Sequence, residues 1–225
     1  MQRVQKILSN RGFCSRRKAE KLIEEGRVRV NSKTITIGDK AEENDTITVD
    51  NKEVKKSEPV YIIFNKPTKC VTALKDSHRK TIMHYINTRE RIFPVGRLDY
   101  NTSGLLILTN DGDLANRIAH PSHGSVKVYK VKLQQTLAKK DKQRIENGVK
   151  LEDGLAKAKV KLYDSNTLEV SLHEGRNRIV RRIFKHLGYN IQYLHRTKIG
   201  KLTLGKIKEG EYRFVSKSVV EKALL

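Results

Sequence analysis

The stretch that decides the fold is FPVGRLDYNTSGLLILTNDG, residues 93–112. Arg97 and Asp99 stand two residues apart just before the apolar run at 105–108, and glycines lie on both sides of that run. Glycine and asparagine favour tight turns, and the run itself has the length of a buried strand. A carboxylate beside a guanidinium, held on a turn at the mouth of a strand, is favoured in its ionised form and stays accessible. The stretch therefore predicts a strand with a candidate reactive group at its start.

Charge is the strongest signal in the composition. The 225 residues include 47 Lys and Arg against 25 Asp and Glu, which gives a net charge of +22 and a pI near 10.0. Such a surplus suits a polyanionic partner, because each neutralised phosphate releases condensed counterions. The chain has no apolar run long enough to span a bilayer and no signal-peptide core, so we expect no membrane association.

Cysteine and histidine usage argues against a metal site or a disulfide framework. Cys14 and Cys70 are far apart and lack metal-ligand spacing, and the seven histidines form no cluster. We therefore expect two small buried thiols, no bound metal and a reducing, cytoplasmic compartment.

The first 37 residues have the pattern of a compact helix-helix-hairpin unit. Val4, Ile7 and Leu8 share one helical face, Ser15 is placed to cap a second helix, and Gly26 ends it. Alternating residues at 28–30 and 35–37, joined by Asn31-Ser32, predict a hairpin. A polar stretch at 50–59 then reads as a linker, which predicts an N-terminal module over 1–58 and a second domain over 59–225.

Strands and helices mix in the second domain. Apolar and alternating segments predict strands at 60–65, 105–109, 126–133, 158–163 and 168–173, and helical patterns cover 80–87, 112–118, 138–147 and 178–187. This order predicts an α+β fold with a mixed, largely antiparallel sheet flanked by helices.

Two clusters of basic residues mark candidate nucleic-acid surfaces. The first 37 residues hold ten Lys or Arg against three Glu, and Arg16, Arg17 and Lys18 fall at a helix N-terminus, where an external anion would offset their repulsion. Residues 173–201 hold eight Lys or Arg against one Glu. A solvated charged face is the commoner fate of such runs, but the imbalance and clustering favour nucleic-acid contact.

The N-terminal unit resembles the RNA-binding domain named after ribosomal protein S-four. The matching segments are RVQKIL at 3–8, CSRRKA at 14–19 and GRVRVN at 26–31. The resemblance implies that folded RNA is recognised by its shape and phosphates. It also implies that Arg16, Arg17, Lys18 and Arg27 contact that RNA.

The second domain resembles the RNA pseudouridine synthases, within them the ribosomal group typified by RsuA and RluB. Besides residues 96–112, the matching segments are NKP at 65–67, VYKV at 128–131 and EGRNRIVRRIF at 174–184. The sequence of the last segment is most similar to that of the large-subunit RluB-like enzymes. One departure falls at Lys69, two residues after the Pro, where the family usually has Gly.

The resemblance assigns roles position by position. Asp99 matches the catalytic carboxylate, Tyr129 the ring that packs against the target base, and Arg181 the basic residue that pairs with the carboxylate. Val180 matches an aliphatic residue that lines the pocket, and Arg97 the arginine before the carboxylate. We expect Arg97, Arg176 and Arg178 to contact RNA.

The implied reaction is the isomerisation of a specific uridine in ribosomal RNA, with the large subunit favoured. Uracil leaves its ribose, rotates and reattaches through carbon 5, which needs no redox step, energy input or cofactor. The carboxylate could act as a nucleophile or as a base. We expect a monomer whose partner is ribosomal RNA, either free or in an assembling subunit.

Other interpretations stay open at this point. Taken singly, Asp99 could be a turn former, Tyr129 a core aromatic residue and Arg181 part of a solvated helix face. The same basic clusters would suit a non-catalytic ribosome assembly factor or, less well, a DNA-binding protein. A synthase acting on small-subunit RNA is a further alternative. The ordered occurrence of all the motifs favours the large-subunit enzyme.

Overall fold

The N-terminal module forms two helices and two small sheets. The computed structural model describes residues 1–119 and 125–224. Its first elements are β1 (Gln2–Arg3), α1 (Val4–Asn10), α2 (Arg16–Glu24), β2 (Val28–Val30), β3 (Lys33–Thr34), β4 (Lys40–Ala41), β5 (Ile47–Val49) and β6 (Lys52–Glu53). One sheet has the order β3-β2-β5-β6, and β1 pairs with β4.

The local signals in the sequence explain these boundaries. The Ser15 hydroxyl accepts a hydrogen bond from the Lys18 amide at 3.2 Å and so caps α2. Gly26 follows α2 with φ +68°, a conformation that favours glycine. Buried Val4, Leu8 and Leu22 belong to a hydrophobic cluster whose members all lie within the N-terminal module. The predicted helix-helix-hairpin arrangement is confirmed.

The rest of the chain builds one large sheet with helices on its faces. Its elements are β7 (Tyr61–Lys66), a 3₁₀ turn (Ile82–His84), β8 (Phe93–Val95), β9 (Ser103–Thr109), α3 (Gly112–Ala119), β10 (Lys127–Leu133), α4 (Lys139–Asn147), β11 (Val149–Leu151), β12 (Gly154–Ala156), β13 (Lys159–Leu162), β14 (Thr167–Leu172), α5 (Ile179–His186), β15 (Ile191–Ile199), β16 (Leu202–Thr203), β17 (Tyr212–Phe214) and α6 (Lys217–Leu224).

The strand order of this sheet is β13-β14-β10-β15-β9-β7-β17, with β8 on β9 and β16 on β15. Within this order all neighbours are antiparallel except β15 and β9. The predicted mixed, largely antiparallel sheet is therefore confirmed. Both β7 and β9 are buried along their whole length, because hydrophobic clusters cover both of their faces.

The connection between the module and the sheet is fixed by Asn110, at the end of β9. Its side chain donates to the Ser57 hydroxyl and to Glu58 O, and accepts from the Val60 amide at 2.7 Å. Next to it, the Asp111 carboxylate accepts from the Leu114 amide at 3.0 Å and caps α3. Asp111 is therefore a turn and cap residue and not part of the candidate site.

Several elements differ from the sequence-based expectation, among them the unpredicted short strands β8, β11, β12, β16 and β17 and the helix α6. Residues 80–87 do not form a helix: only Ile82–His84 make a 3₁₀ turn, which a capping box between Thr81 and His84 closes. The longest strand, β15, was not predicted, because its polar and charged residues mask the alternation that marks a strand. The strand β15 depends on its pairing with β10 and β9 for its conformation.

The two halves of the sheet meet where β9 and β15 pair in parallel over only two positions, His195 with Ser103 and Arg196 with Gly104. Gly104 has φ +112°, and a Cβ at this position would lie 2.3 Å from the Arg196 carbonyl oxygen. Neither the backbone conformation nor the contact tolerates a side chain. Gly104 therefore permits the close approach that joins the halves.

Gly104→Ala should destabilise the protein by about 2–4 kcal/mol, because it combines positive-φ strain with a clash against backbone that cannot yield. Chemical unfolding followed by circular dichroism measures this difference.

Gly188→Ala is the matched control, since Gly188 also has positive φ (+84°) but faces open space. This substitution introduces the conformational strain without the clash, and it should lower the free energy of unfolding by about 1 kcal/mol. Equal destabilisation by both substitutions would show that the contact with Arg196 is unimportant.

Candidate functional site

A cleft of about 830 Å³ lies where the 95–102 loop, β10, the 173–181 segment and β15 converge. The structure brings seven of the predicted site residues to its lining: Arg97, Asp99, Tyr129, Arg176, Arg178, Val180 and Arg181. The residues that the resemblance placed in one site are thus neighbours, although 84 positions separate the first from the last.

The loop that carries Asp99 is anchored by a buried lysine. Lys66 is fully buried, and its ammonium group donates to Pro67 O at 3.0 Å, Asp99 O at 3.1 Å and Thr102 O at 3.0 Å. The Thr102 amide also donates to Asp99 O at 3.0 Å and closes the turn. Two of these three carbonyl groups belong to the turn from Asp99 to Thr102, so the ammonium fixes the backbone that directly follows the Asp99 side chain.

Burial lowers the pKa of Lys66 to about 8, mainly because the charged form loses its hydration. The ammonium form still predominates at neutral pH, and its three N–H groups match the three carbonyl acceptors. Sequence reasoning noted Lys66 only as part of a matching motif. A lysine at the end of the apolar strand Tyr61–Lys66 was the available signal, because a buried lysine requires acceptors.

The departure at Lys69 has a local explanation. Lys69 follows the motif and adopts φ +55°, in the left-handed region that glycine occupies most easily. The chain therefore forms this turn with a lysine in a backbone conformation that favours glycine.

Arg181 does not form the expected direct pair with the carboxylate of Asp99. Its guanidinium instead donates to Asn101 O at 2.6 Å and to the Thr102 hydroxyl at 3.4 Å. The helix α5 directs the guanidinium to the backbone of the loop, so the loop is held both by Arg181 and by Lys66. Burial and then Arg178 lower the pKa of Arg181, while the negative charge of Asp99 acts in the opposite direction.

The Asp99 side chain is half-buried and faces the cleft. Within the described residues, no hydrogen-bond donor or ion-pair partner occupies its carboxylate. An anchored backbone with an unoccupied carboxylate is a suitable arrangement for a group that must reach a reacting atom.

Tyr129 and Val180 give the cleft its apolar walls. Tyr129 is 9% exposed and projects from β10 directly opposite Arg196 of β15. Val180 is 4% exposed and lies in the first turn of α5. An aromatic ring and an aliphatic side chain can hold a planar base between them.

The arginines at the cleft differ in availability. Arg97 and Arg178 are exposed, and Arg178 precedes α5 with φ +51°. Arg176 is already engaged, because its guanidinium contacts Glu174 and donates to Asp153 Oδ1 at 2.8 Å. Glu174 is the one acidic residue within 173–201, but Asp153 from another part of the chain also pairs with Arg176 and Arg182.

The N-terminal residues do not line the cleft. Arg16, Arg17 and Lys18 are exposed in the first turn of α2, where no acidic residue accompanies them. Arg27 is bound to Asp50 at 2.6 Å and to Glu25 at 2.9 Å, and the hydrogen bonds to these carboxylates raise its pKa. The Arg16–Lys18 group is therefore the free basic cluster of the module.

Residues 1–119 and 125–224 contain neither a candidate metal site nor a membrane-spanning helix. These residues contain no group of three His, Cys, Asp or Glu that could hold a metal ion. No helix among them has the length and apolar character needed to cross a membrane. Both cysteines are buried free thiols, as expected.

A carboxylate, an aromatic ring and several guanidinium groups around one cleft are suited to an enzyme that acts on a single nucleotide within a nucleic acid. The family model described as RNA pseudouridylate synthase matches residues 60–186, and that of the S4 domain matches residues 2–47. The chain belongs to the RNA pseudouridylate synthase family.

Individual relatives agree along nearly the whole chain. Ribosomal large subunit pseudouridine synthase B of Bacillus subtilis is 39% identical, with 99% of this chain and 95% of that protein covered. The dual-specificity RNA pseudouridine synthase RluF of Escherichia coli is 35% identical, with 94% and 74% covered. A crystal structure of a pseudouridylate synthase is 28% identical, with 100% of both chains covered and a TM-score of 0.73.

Lys66→Met should lower the rate of pseudouridine formation by about tenfold to a hundredfold, because a small displacement of the reacting group is enough to cost that much. RNA affinity should stay within about twofold, since no phosphate contact is removed. Single-turnover rates and filter binding with the same RNA measure the two quantities.

Lys80→Met serves as the control, because Lys80 is an exposed lysine in the same domain. It should leave the rate unchanged. A Lys66→Met protein that turns over as fast as the wild type would remove the anchoring role of Lys66.

Proposed function

We propose that this protein converts a specific uridine of large-subunit ribosomal RNA to pseudouridine, with Asp99 as the catalytic carboxylate. The observation that carries the proposal is the cleft in which Asp99, Tyr129 and Arg181 meet. The large subunit is favoured by the relative from Bacillus subtilis, whose name specifies that subunit and which covers 99% of this chain.

The reaction is an isomerisation in which all atoms of the RNA are retained. The bond between N1 of uracil and C1′ of ribose breaks, the base turns, and a bond forms between C5 and C1′. The proton on C5 is lost and N1 gains one, so no oxidant, reductant or energy-rich cofactor is needed. Asp99 is placed to act on the sugar or the base, as a nucleophile or as a base.

The other cleft residues bind the extruded uridine or position the Asp99 loop. The target uridine must leave its stack to enter a cleft of this kind. Tyr129 supports the extruded ring by stacking, and Val180 packs against it. Arg181 keeps the Asp99 loop in place through Asn101 O, which makes Arg181 a positioning residue.

RNA is bound by exposed basic residues that are not engaged with a described carboxylate. Arg97 and Arg178 lie exposed at the cleft, and Arg16, Arg17 and Lys18 form a second contact on the N-terminal module. Arg27 and Arg176 contact RNA only by exchanging a carboxylate partner for a phosphate.

The proposal includes the organisation of the chain. Residues 1–58 form the RNA-binding module and residues 59–225 the catalytic domain, a division supported by separate hydrophobic clusters. The protein acts as a monomer in the cytoplasm, on ribosomal RNA that is free or in an assembling subunit.

The function is tested by mapping pseudouridine in ribosomal RNA from cells with and without the gene. Carbodiimide labelling and primer extension should show one or more large-subunit sites that disappear in the deletion strain and return with the wild-type gene. A lost site in small-subunit RNA would assign the other subunit, and an unchanged map would contradict the enzymatic proposal.

Asp99→Asn should fail to restore the missing modification and should lower the in vitro rate by at least about a hundredfold. RNA affinity should be retained, because the phosphate contacts are unchanged. Full complementation by Asp99→Asn would favour the non-catalytic assembly factor instead.

The triple variant Arg16→Gln, Arg17→Gln, Lys18→Gln should weaken RNA binding and reduce the slope of log affinity against log salt by about 2–3, since each lost phosphate contact removes roughly 0.9 from the slope. Filter binding over a range of salt concentrations measures the slope.

A second triple variant, Lys33→Gln, Lys40→Gln, Lys52→Gln, removes the same charge from exposed positions of the same module. It should change the slope much less. Equal effects of the two triple variants would mean that net charge alone, and not the first turn of α2, attracts the RNA.

A further inference from the structure

Arg196 lies at the floor of the cleft with one donor unused. The residue is only 4% exposed, lines the cleft and stands opposite Tyr129 in the pairing of β15 with β10. Its Nε donates to Leu105 O at 2.8 Å, whereas Nη2 is buried without a hydrogen-bond partner. A buried guanidinium with an unpaired donor is costly unless something in the cleft accepts from it.

Lys127 brings a second positive charge to the same place. It lies two residues before Tyr129 on β10, is half-buried and also lines the cleft. Burial, and then the charge of Arg196, lower the pKa of Lys127, so the two cations are near enough to repel each other. In the described part of the chain, neither of them has an ion-pair partner.

The acidic residues that line the cleft do not pair with these cations. Glu174 is engaged by Arg176, and within residues 1–119 and 125–224 Asp99 forms no ion pair with Lys127 or Arg196, although it lines the same cleft. A buried and a half-buried cation beside Tyr129, with a free donor and no ion pair to a described carboxylate, make a site that is complete only when an anion enters the cleft.

We propose that Lys127 and Arg196 bind a backbone phosphate next to the target uridine, on its 5′ or its 3′ side. This inference rests on the proposed function, and it adds residues that none of the matching motifs contains. A phosphodiester carries a full negative charge within one nucleotide of the base that stacks on Tyr129. It suits a single guanidinium donor together with the point charge of an ammonium group.

A bound phosphate at this position has a consequence for the extruded nucleotide. A phosphate can reach the floor of the cleft only when the backbone follows the uridine into it. The pair therefore stabilises the extruded state of the uridine and contributes to the affinity for the RNA as well as to the rate.

The test uses the RNA stem-loop around the uridine that the modification map identifies, made with a neutral methylphosphonate at the 5′ or the 3′ linkage of that uridine. With the wild-type protein, one of the two replacements should weaken binding by about tenfold to a hundredfold. Lys127→Gln should weaken binding of the unmodified RNA and reduce the salt slope by about 1.

The decisive result is coupling between the protein and the RNA change. The methylphosphonate that weakens wild-type binding should have little further effect on Lys127→Gln, so that the two losses are not additive. Lys132→Gln is the control, since Lys132 is an exposed lysine on the same strand whose side chain alternates to the other face. It should retain the full sensitivity to the methylphosphonate.

Arg196→Lys provides a second variant that keeps the charge, in case removal of the buried guanidinium impairs folding. RNA binding by Arg196→Lys should be less sensitive than wild-type binding to the same methylphosphonate. Its sensitivity to the methylphosphonate at the other linkage should be unchanged. Additive losses at both linkages, or a loss of rate with unchanged affinity and salt slope, would overturn the phosphate site while the proposed function stands. A map without any lost site would instead contradict the function, and the phosphate site would fall with it.

Discussion

The ammonium group of Lys66 is the constraint on which the candidate site depends. It holds three backbone carbonyls, two of them at Asp99 and Thr102, so the turn between these residues has one conformation. Arg181 also secures this turn, through Asn101 O. The carboxylate of Asp99 is thereby positioned through its backbone and its charge remains available to the cleft. A direct ion pair would have positioned the side chain but occupied its oxygens.

The second requirement is the junction between the two halves of the sheet. The parallel contact of β9 with β15 is short, and it depends on the missing side chain of Gly104. On one side of this junction is the loop with Asp99, and on the other side β15 faces β10 with Arg196 opposite Tyr129. The cleft therefore exists because two sheet halves that carry different parts of the site approach closely at a single point.

Much of this architecture could be predicted from local signals. The cap at Ser15, the turn at Asp111 and the buried strands β7 and β9 follow from residue type and periodicity. The strand β15 could not be predicted, because its hydrogen bonds to two neighbours, and not its hydrophobic pattern, determine its conformation. In the site, residue identities came from matching motifs, but Lys66 as an anchor and Arg181 as a ligand of the loop backbone appear only in three dimensions.

The most direct test of this account is a crystal structure of the Asp99→Asn protein bound to the ribosomal RNA stem-loop that contains its target. The account predicts an unmodified uridine turned out of its helix, its base on the ring of Tyr129 and its sugar next to Asn at position 99, with Lys66 still bound to the three carbonyls. A complex in which the uridine remains stacked in the RNA, or lies in another part of the protein, would contradict it.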